Sequence, residues 1–217
     1  MAQEIRSLTF RWVNAYLVRT GAGFVLIDTG FTRNRAQLEN VLSEAGCRPG
    51  DLKLIVVTHG DPDHAASAAY LREKYGAKIA MHRAEAAAVE WGDMFLSRGP
   101  LSPRARMIRP LTALFRLRRS DRFTPDLYLE DGGSLREYGF DAVVLHVPGH
   151  SAGSIAVLTV DGDLFSGDFL ENRSCPSVAT LVDDRAALVA SLERVRKLNI
   201  RAVYPGHGAA FTMAEMG

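Results

Sequence analysis

Short apolar runs alternate with amphipathic stretches along nearly the whole chain. Residues 3 to 19 read as two strands with a turn near Phe10 to Trp12. Gly21 and Gly23 make the next turn, and Phe24 to Ile27 is a third strand ended by Asp28-Thr29-Gly30. Leu38, Val41, Leu42 and Ala45 share a helical face, in a helix that Thr32 can cap and Gly46 can stop. Leu54 to Val57 is apolar without a break and reads as a buried strand. A helix from Ala65 to Tyr75, a strand from Ala77 to Met81 and a helix from His82 to Glu90 follow. The second part returns to strands at Leu127 to Leu129 and Phe140 to Val147. A hairpin of Ile155 to Val160 with Leu164-Phe165 turns over Asp161 to Asp163. Asp183 begins a helix with Leu188, Leu192, Val195 and Leu198 on one face, and Ala202 to Tyr204 is a last strand. By itself this pattern predicts a mixed α and β protein.

Composition narrows the class without naming an activity. The 217 residues are 47% apolar and 24% charged, ordinary for a globular chain able to bury a core without disulfides. We expect one domain over residues 1–217. A formal net charge of +1 gives no general pull toward nucleic acid or membrane. Cys47 and Cys175 form no Cys-x-x-Cys pair, which argues against a thiolate zinc site. The first ten residues carry Glu4 and Arg6 and lack a long apolar run, so no signal peptide is expected. No stretch approaches the ~20 apolar residues of a membrane span. A cytoplasmic location is the expectation.

One stretch departs from the average. Residues 94–125 hold eight arginines (98, 104, 106, 109, 116, 118, 119 and 122) against one acid, Asp121. Pro100, Pro103, Pro110 and Pro125 interrupt it, and Ile108, Leu111, Leu114 and Phe115 fall at helical spacing. It reads as an insertion of short helices, either a lid over a substrate pocket or a solvated basic face. Attachment to an anionic membrane surface is a weaker third reading.

The candidate chemistry collects at strand ends. Val57-Thr58-His59-Gly60-Asp61-Pro62-Asp63-His64 puts four metal-binding side chains within six residues, between a buried strand and a helix. His150 and His207 each sit in a Pro-Gly-His turn, and Asp168 follows a Ser-Gly turn. Asp61 has two readings. It is a metal ligand, or it is the N-cap of a helix with Pro62 at the first helical position. His82 and His146 read as structural.

These segments resemble the metallo-β-lactamase superfamily. His59 to His64 matches its His-x-His-x-Asp-His signature with Asp61 in place of the second His. Val13-Asn14-Ala15-Tyr16-Leu17-Val18, Asp28-Thr29-Gly30, Pro148-Gly149-His150-Ser151-Ala152-Gly153-Ser154 and Pro205-Gly206-His207-Gly208 match further segments. The resemblance implies an α+β fold, a four-layer αββα sandwich of two mixed sheets with outer helices. It implies that His59, Asp61 and His150 hold a first metal, that Asp63, His64 and His207 hold a second, and that Asp168 bridges them. A hydroxide between the ions would complete the centre, and Asp63 would also relay a proton to the leaving group. Asp28 either buttresses the metal loop from behind or merely satisfies a turn. Each ligand imidazole should pass its other N–H to a carboxylate or carbonyl.

The implied activity is metal-dependent hydrolysis of an ester, thioester, lactone or phosphoester in a small-molecule substrate. Two divalent ions are expected, zinc first, with iron and manganese open because an aspartate in the slot of Asp61 suits harder ions. The missing export signal counts against an antibiotic-degrading role. The ten residues after His207 leave no room for the helical domain of glyoxalase II enzymes. Nucleic-acid binding has no strong signal outside the arginine-rich stretch, and an oligomer is compatible with the pattern. Two other classes stay open: an iron redox enzyme similar to the sulfur dioxygenases of this superfamily, with one or two ions, and a metal-binding scaffold without turnover.

Overall fold

The computed structural model describes residues 4–98 and 116–216. Six strands form the first sheet in sequence order: β1 (Ile5–Phe10), β2 (Val13–Thr20), β3 (Gly23–Ile27), β4 (Leu52–Val56), β5 (Lys78–Met81) and β6 (Leu127–Tyr128). β1, β2 and β3 pair antiparallel across tight turns, whereas β3 to β6 run parallel. Parallel neighbours need crossovers. α1 (Arg35–Glu44) joins β3 to β4, α2 (Pro62–Ala65) and α3 (Ala68–Tyr75) join β4 to β5, and α4 (Ala86–Trp91) follows β5.

The second sheet is built from β7 (Ala142–His146), β8 (Ile155–Thr159), β9 (Asp163–Gly167) and β12 (Ala202–Pro205), in the order β12-β9-β8-β7. Only β12 and β9 are parallel in it, through the crossover helix α5 (Arg185–Val195). A small ribbon of β10 (Leu170–Glu171) and β11 (Ser177–Val178) lies between β9 and α5 in the chain.

Three apolar layers hold this together, and period-two alternation decides which residue joins which. Val25, Ile27, Leu54 and Val56 face Phe140, Val144, Val157 and Phe165 between the sheets. Their neighbours Phe24, Leu26, Ile55 and Val57 face the other way and pack with Leu38, Leu42 and Leu71 of α1 and α3. On the far side Leu145, Ala156, Leu164 and Val203 pack with Leu188 and Val195 of α5. β4 is buried on both faces, which explains its unbroken apolar run. The four layers are the αββα sandwich expected.

Some local expectations give way. The helix expected over Ala65–Tyr75 is broken at Ala66–Ser67, because the Ser67 N–H donates to Thr29 Oγ1 at 3.1 Å and its hydroxyl to the Phe31 carbonyl. Thr32 caps no helix. It lies inside a 3-10 turn, and its hydroxyl donates to buried Asp121 at 2.6 Å. Asp184, not Asp183, caps α5 by accepting the Ala187 N–H.

Within the arginine-rich stretch, Leu117 and Phe123 are buried against the first sheet's helices, as docked flanks should be. Its middle, with Arg104, Arg106, Arg109, Pro100, Pro103, Pro110, Ile108, Leu111, Leu114 and Phe115, lies outside the described residues. Among the described residues no helix is long and apolar enough to cross a membrane.

Candidate metal centre

All seven proposed donors meet where loops of the two sheets converge. His59 follows β4, Asp61, Asp63 and His64 open α2, and His150, Asp168 and His207 follow β7, β9 and β12. Their donor atoms fall into three overlapping groups: His59, Asp61 and His150; His59, His64 and Asp168; Asp63, His64 and His207. Each group mixes loops of both sheets. Asp168 is at the centre. Its Oδ1 is 3.1 Å from His64 Nε2, and its Oδ2 is 3.1 Å from His207 Nε2, 3.9 Å from His59 Nε2 and 4.0 Å from His150 Nε2. His59 Nε2, His64 Nε2 and Asp168 Oδ1 are buried with no hydrogen-bond partner, their mutual approach being misaligned for one. Unpaired buried acceptors facing one point are costly unless a cation satisfies them. The donor set fits a divalent ion on that ground.

The far nitrogen of each imidazole is tied back. His64 Nδ1–H donates to Asp28 Oδ2 at 2.8 Å and His150 Nδ1–H to the Leu181 carbonyl at 2.8 Å. His207 Nδ1–H donates to the Trp12 carbonyl. His59 Nδ1 pairs with Thr58 Oγ1 at 3.0 Å, whose own hydroxyl donates to Asp28. This network turns every Nε2 toward the centre, where those of His59 and His64 have no hydrogen-bond partner.

Asp28 therefore supports two of the four imidazoles, and it also accepts the Thr58 N–H at 2.8 Å. Its backbone sits at φ 58°, an uncommon region for a residue other than glycine, held by these bonds. Of its two sequence readings, the structure shows the buttress. Asp28→Asn puts an NH2 group against His64 Nδ1–H or the Thr58 N–H. Metal affinity is expected to fall ~10–100-fold, measured by competition with a chromophoric chelator.

Two further supports were not legible. Glu85, fully buried, accepts the Gly60 N–H through Oε2 and the Gly153 N–H through Oε1, each at 2.8 Å. One carboxylate thus joins the His59 loop to the His150 loop. Glu85→Ala strands two buried amides at about 1–3 kcal/mol each. Metal-free protein should lose roughly 2–4 kcal/mol in urea unfolding. Asn14 Nδ2–H donates to the Pro205 and Gly208 carbonyls at 3.0 and 2.7 Å, and the Tyr16 hydroxyl donates to Pro205 at 2.6 Å. These residues of β2 clamp the His207 loop, a role that the sequence hinted at only by their place in a matching segment.

Asp61 satisfies part of both readings. Its backbone (φ −71°, ψ 142°) is an N-cap with Pro62 first in the helix, but its side chain caps nothing. Oδ2 lies 3.4 Å from His150 Nε2 and 3.6 Å from His59 Nε2. It also meets Arg98, a residue that sequence reading placed in the insertion and not in the site. Arg98 Nη2 donates to both Asp61 oxygens at 2.9 and 2.7 Å, and Nη1 to the His150 carbonyl and Asp183, each at 3.0 Å. Nothing in the sequence separates Arg98 from the seven other arginines around it. Burial pushes the Asp61 carboxyl up, but Arg98 and then bonds from His150 and His59 hold it well below the usual range. Burial likewise opposes charge on Asp168, and His64 and His207 override it. His82 and His146 stack at 4.3 Å outside the three donor groups, consistent with a structural role.

Asp61, Asp63, His150, Asp168 and His207 line a cleft of about 340 Å³ together with Glu171, Arg173, Thr180 and Leu181. Trp12, whose carbonyl holds His207, is 55% exposed, with the Arg11 and Arg33 guanidiniums over its ring.

The sequence and the fold are similar to those of known proteins. A family model described as the metallo-beta-lactamase superfamily matches residues 8–207. An acyl-coenzyme A thioesterase, MBLAC2 of Bos taurus, is 31% identical over 91% of this chain and 74% of its own. The hydroxyacylglutathione hydrolase GloC of Haemophilus influenzae is 28% identical over 76% of this chain and 73% of its own. Among solved structures, TTHA1623 in a di-iron-bound form superposes with a TM-score of 0.74 at 30% identity, covering 97% of this chain and 95% of that one.

Proposed function

The chain belongs to the metallo-beta-lactamase superfamily and is a metallo-hydrolase of it, and on that premise we propose that it cleaves a small-molecule ester-type bond, thioesters first, at a two-ion centre. His59, Asp61 and His150 would hold the first ion and Asp63, His64 and His207 the second, with Asp168 available to both. Zinc is the first candidate, and the di-iron form of a similar structure makes iron the second. Ions bound there would supply a hydroxide near neutral pH and Lewis-acid stabilisation of the developing oxyanion.

One observation carries this reading: three buried donor atoms, His59 Nε2, His64 Nε2 and Asp168 Oδ1, left unpaired around one point. The chain's own residues do the rest. Asp28 and Thr58 hold the His59 and His64 rings in orientation, so no reorganisation is needed when charge develops. Asp63 lines the cleft with about a quarter of its side chain exposed and its Oδ2 3.5 Å from His207, and it would pass a proton to a leaving group. Leu181 offers the cleft an apolar wall.

Thioesters rank first because one similar protein is named as a thioesterase. The glyoxalase-II type, set aside on the short tail after His207, returns as a candidate because a hydroxyacylglutathione hydrolase is similar over three quarters of the chain. The test is turnover after reconstitution with zinc, manganese or ferrous iron, on acyl thioesters followed by thiol release and on lactones, esters and phosphodiesters. Thioester cleavage dependent on added metal is the expected result. A fully loaded protein that turns over none of these would sink the hydrolytic assignment to these bonds. Oxygen consumption with a persulfide by the iron form would favour the redox reading instead.

A further inference from the structure

We infer that Arg98 makes the first donor set, His59, Asp61 and His150, the weaker of the two, so that one divalent ion loads well before the other. The inference rests on the two-site reading above. It is carried by where the guanidinium sits. Arg98 is buried, with 2% of its side chain exposed, and Nη2 contacts both oxygens of Asp61. The same nitrogen is 3.4 Å from His150 Nε2, the atom that the first set offers to an ion. Nη1 is fixed from behind by Asp183 and the His150 carbonyl, so the charge is built into the site and not draped over it.

Two consequences follow from charge and distance. A guanidinium has only donors, so it competes for the Asp61 lone pairs and offers none to a metal. An ion at the usual ~2.0–2.2 Å from both Asp61 Oδ2 and His150 Nε2 stands within about 4 Å of Nη2. A fixed positive charge at that range opposes a divalent cation directly. Among the described residues the second set meets no such rival: no arginine or lysine of these forms an ion pair with Asp63 or Asp168. Asp61 explains why the arrangement is tolerated. A histidine there would leave the buried guanidinium with Asp183 as its one remaining carboxylate among the described residues, whereas Asp61 and Arg98 neutralise each other when the first ion is absent.

The test is zinc titration of the metal-free full chain against a chromophoric chelator, with zinc alone as the probe. Wild type is expected to bind two ions in steps at least ~10-fold apart. Arg98→Met, which keeps length and removes charge, should tighten the weaker step ~10-fold or more and leave the tighter one unchanged. Arg98→Lys, which keeps the charge, should keep most of the gap. A purely anchoring role for Arg98 would weaken binding in both variants, the reverse result. His150→Ala should abolish only the weaker step and His207→Ala the tighter one. These two variants test the order of loading even if Arg98→Met does not fold. Equal affinities in wild type, loss of the tighter step in His150→Ala, or an unchanged weaker step in folded Arg98→Met would each overturn the inference. A wild-type chain that binds no zinc, manganese or iron would overturn the two-site reading with it.

Discussion

Asp168→Asn is expected to cost at least ~10³-fold in kcat/KM, at metal concentrations that saturate the wild type. Asp168 is the one carboxylate within 4.0 Å of all four donor imidazoles, with an oxygen 3.1 Å from each of His64 and His207. Asparagine keeps the shape and removes the charge. One oxygen becomes an NH2 donor, which offers no lone pair to an ion. Lewis-acid stabilisation by bound ions is worth several kcal/mol. Losing ~4 kcal/mol of it corresponds to about three decades in rate. Two measurements separate the causes. Elemental analysis reports whether ions are still held, and turnover at saturating zinc reports whether ions without Asp168 suffice. Wild-type turnover in the variant would remove Asp168 from the centre.

The second large effect comes from a residue with no side chain. A Cβ on Gly206 would lie 2.3 Å from Asp168 Oδ1 and 2.7 Å from His64 Cε1, both closer than atoms can stand. Neither neighbour can step aside freely. His64 is held through Nδ1 by Asp28. Gly206 itself is pinned, its N–H to the Gly167 carbonyl at 2.8 Å and its carbonyl to the Asn14 N–H at 2.7 Å. Gly206→Ala is therefore expected to displace the Asp168 carboxylate, to cost ~1–3 kcal/mol of stability by overpacking and to lower metal affinity by more than the Asp28→Asn change. Calorimetric melting with and without zinc reads both. Zinc should raise the wild-type Tm clearly and the variant Tm little. An equal zinc-dependent rise in the two proteins would mean that the loop yields without touching the donors.

The donors were legible because their chemistry is local. His59 to His64 is contiguous, and His150, Asp168 and His207 each end a strand that the apolar pattern marks. The two-sheet architecture was legible only through the family resemblance, since periodicity in Val25–Ile27 or Val56 says that both faces are covered but not by what. The supports were hidden for a different reason. Glu85 reaches Gly60 and Gly153, and Arg98 reaches Asp61 and Asp183, across long sequence separations, and nothing in their own neighbourhoods marks them. Local rules also misled where a tertiary partner outbid the backbone. Thr32 gives its hydroxyl to Asp121 instead of a helix, and Ser67 yields its N–H to Thr29 and breaks one.

Every donor group among the described residues draws on loops of both sheets. No segment of the chain owns a complete site while the sheets are apart. An ion can then be held tightly only after the two sheets have docked, and once held it acts as a rivet across their seam, slowing their separation. A nascent chain carrying His59 to His64 but not yet His207 is a poor competitor for metal. The identity of an ion bound there would accordingly be decided by the pool in which folding ends, and not by the one in which synthesis begins.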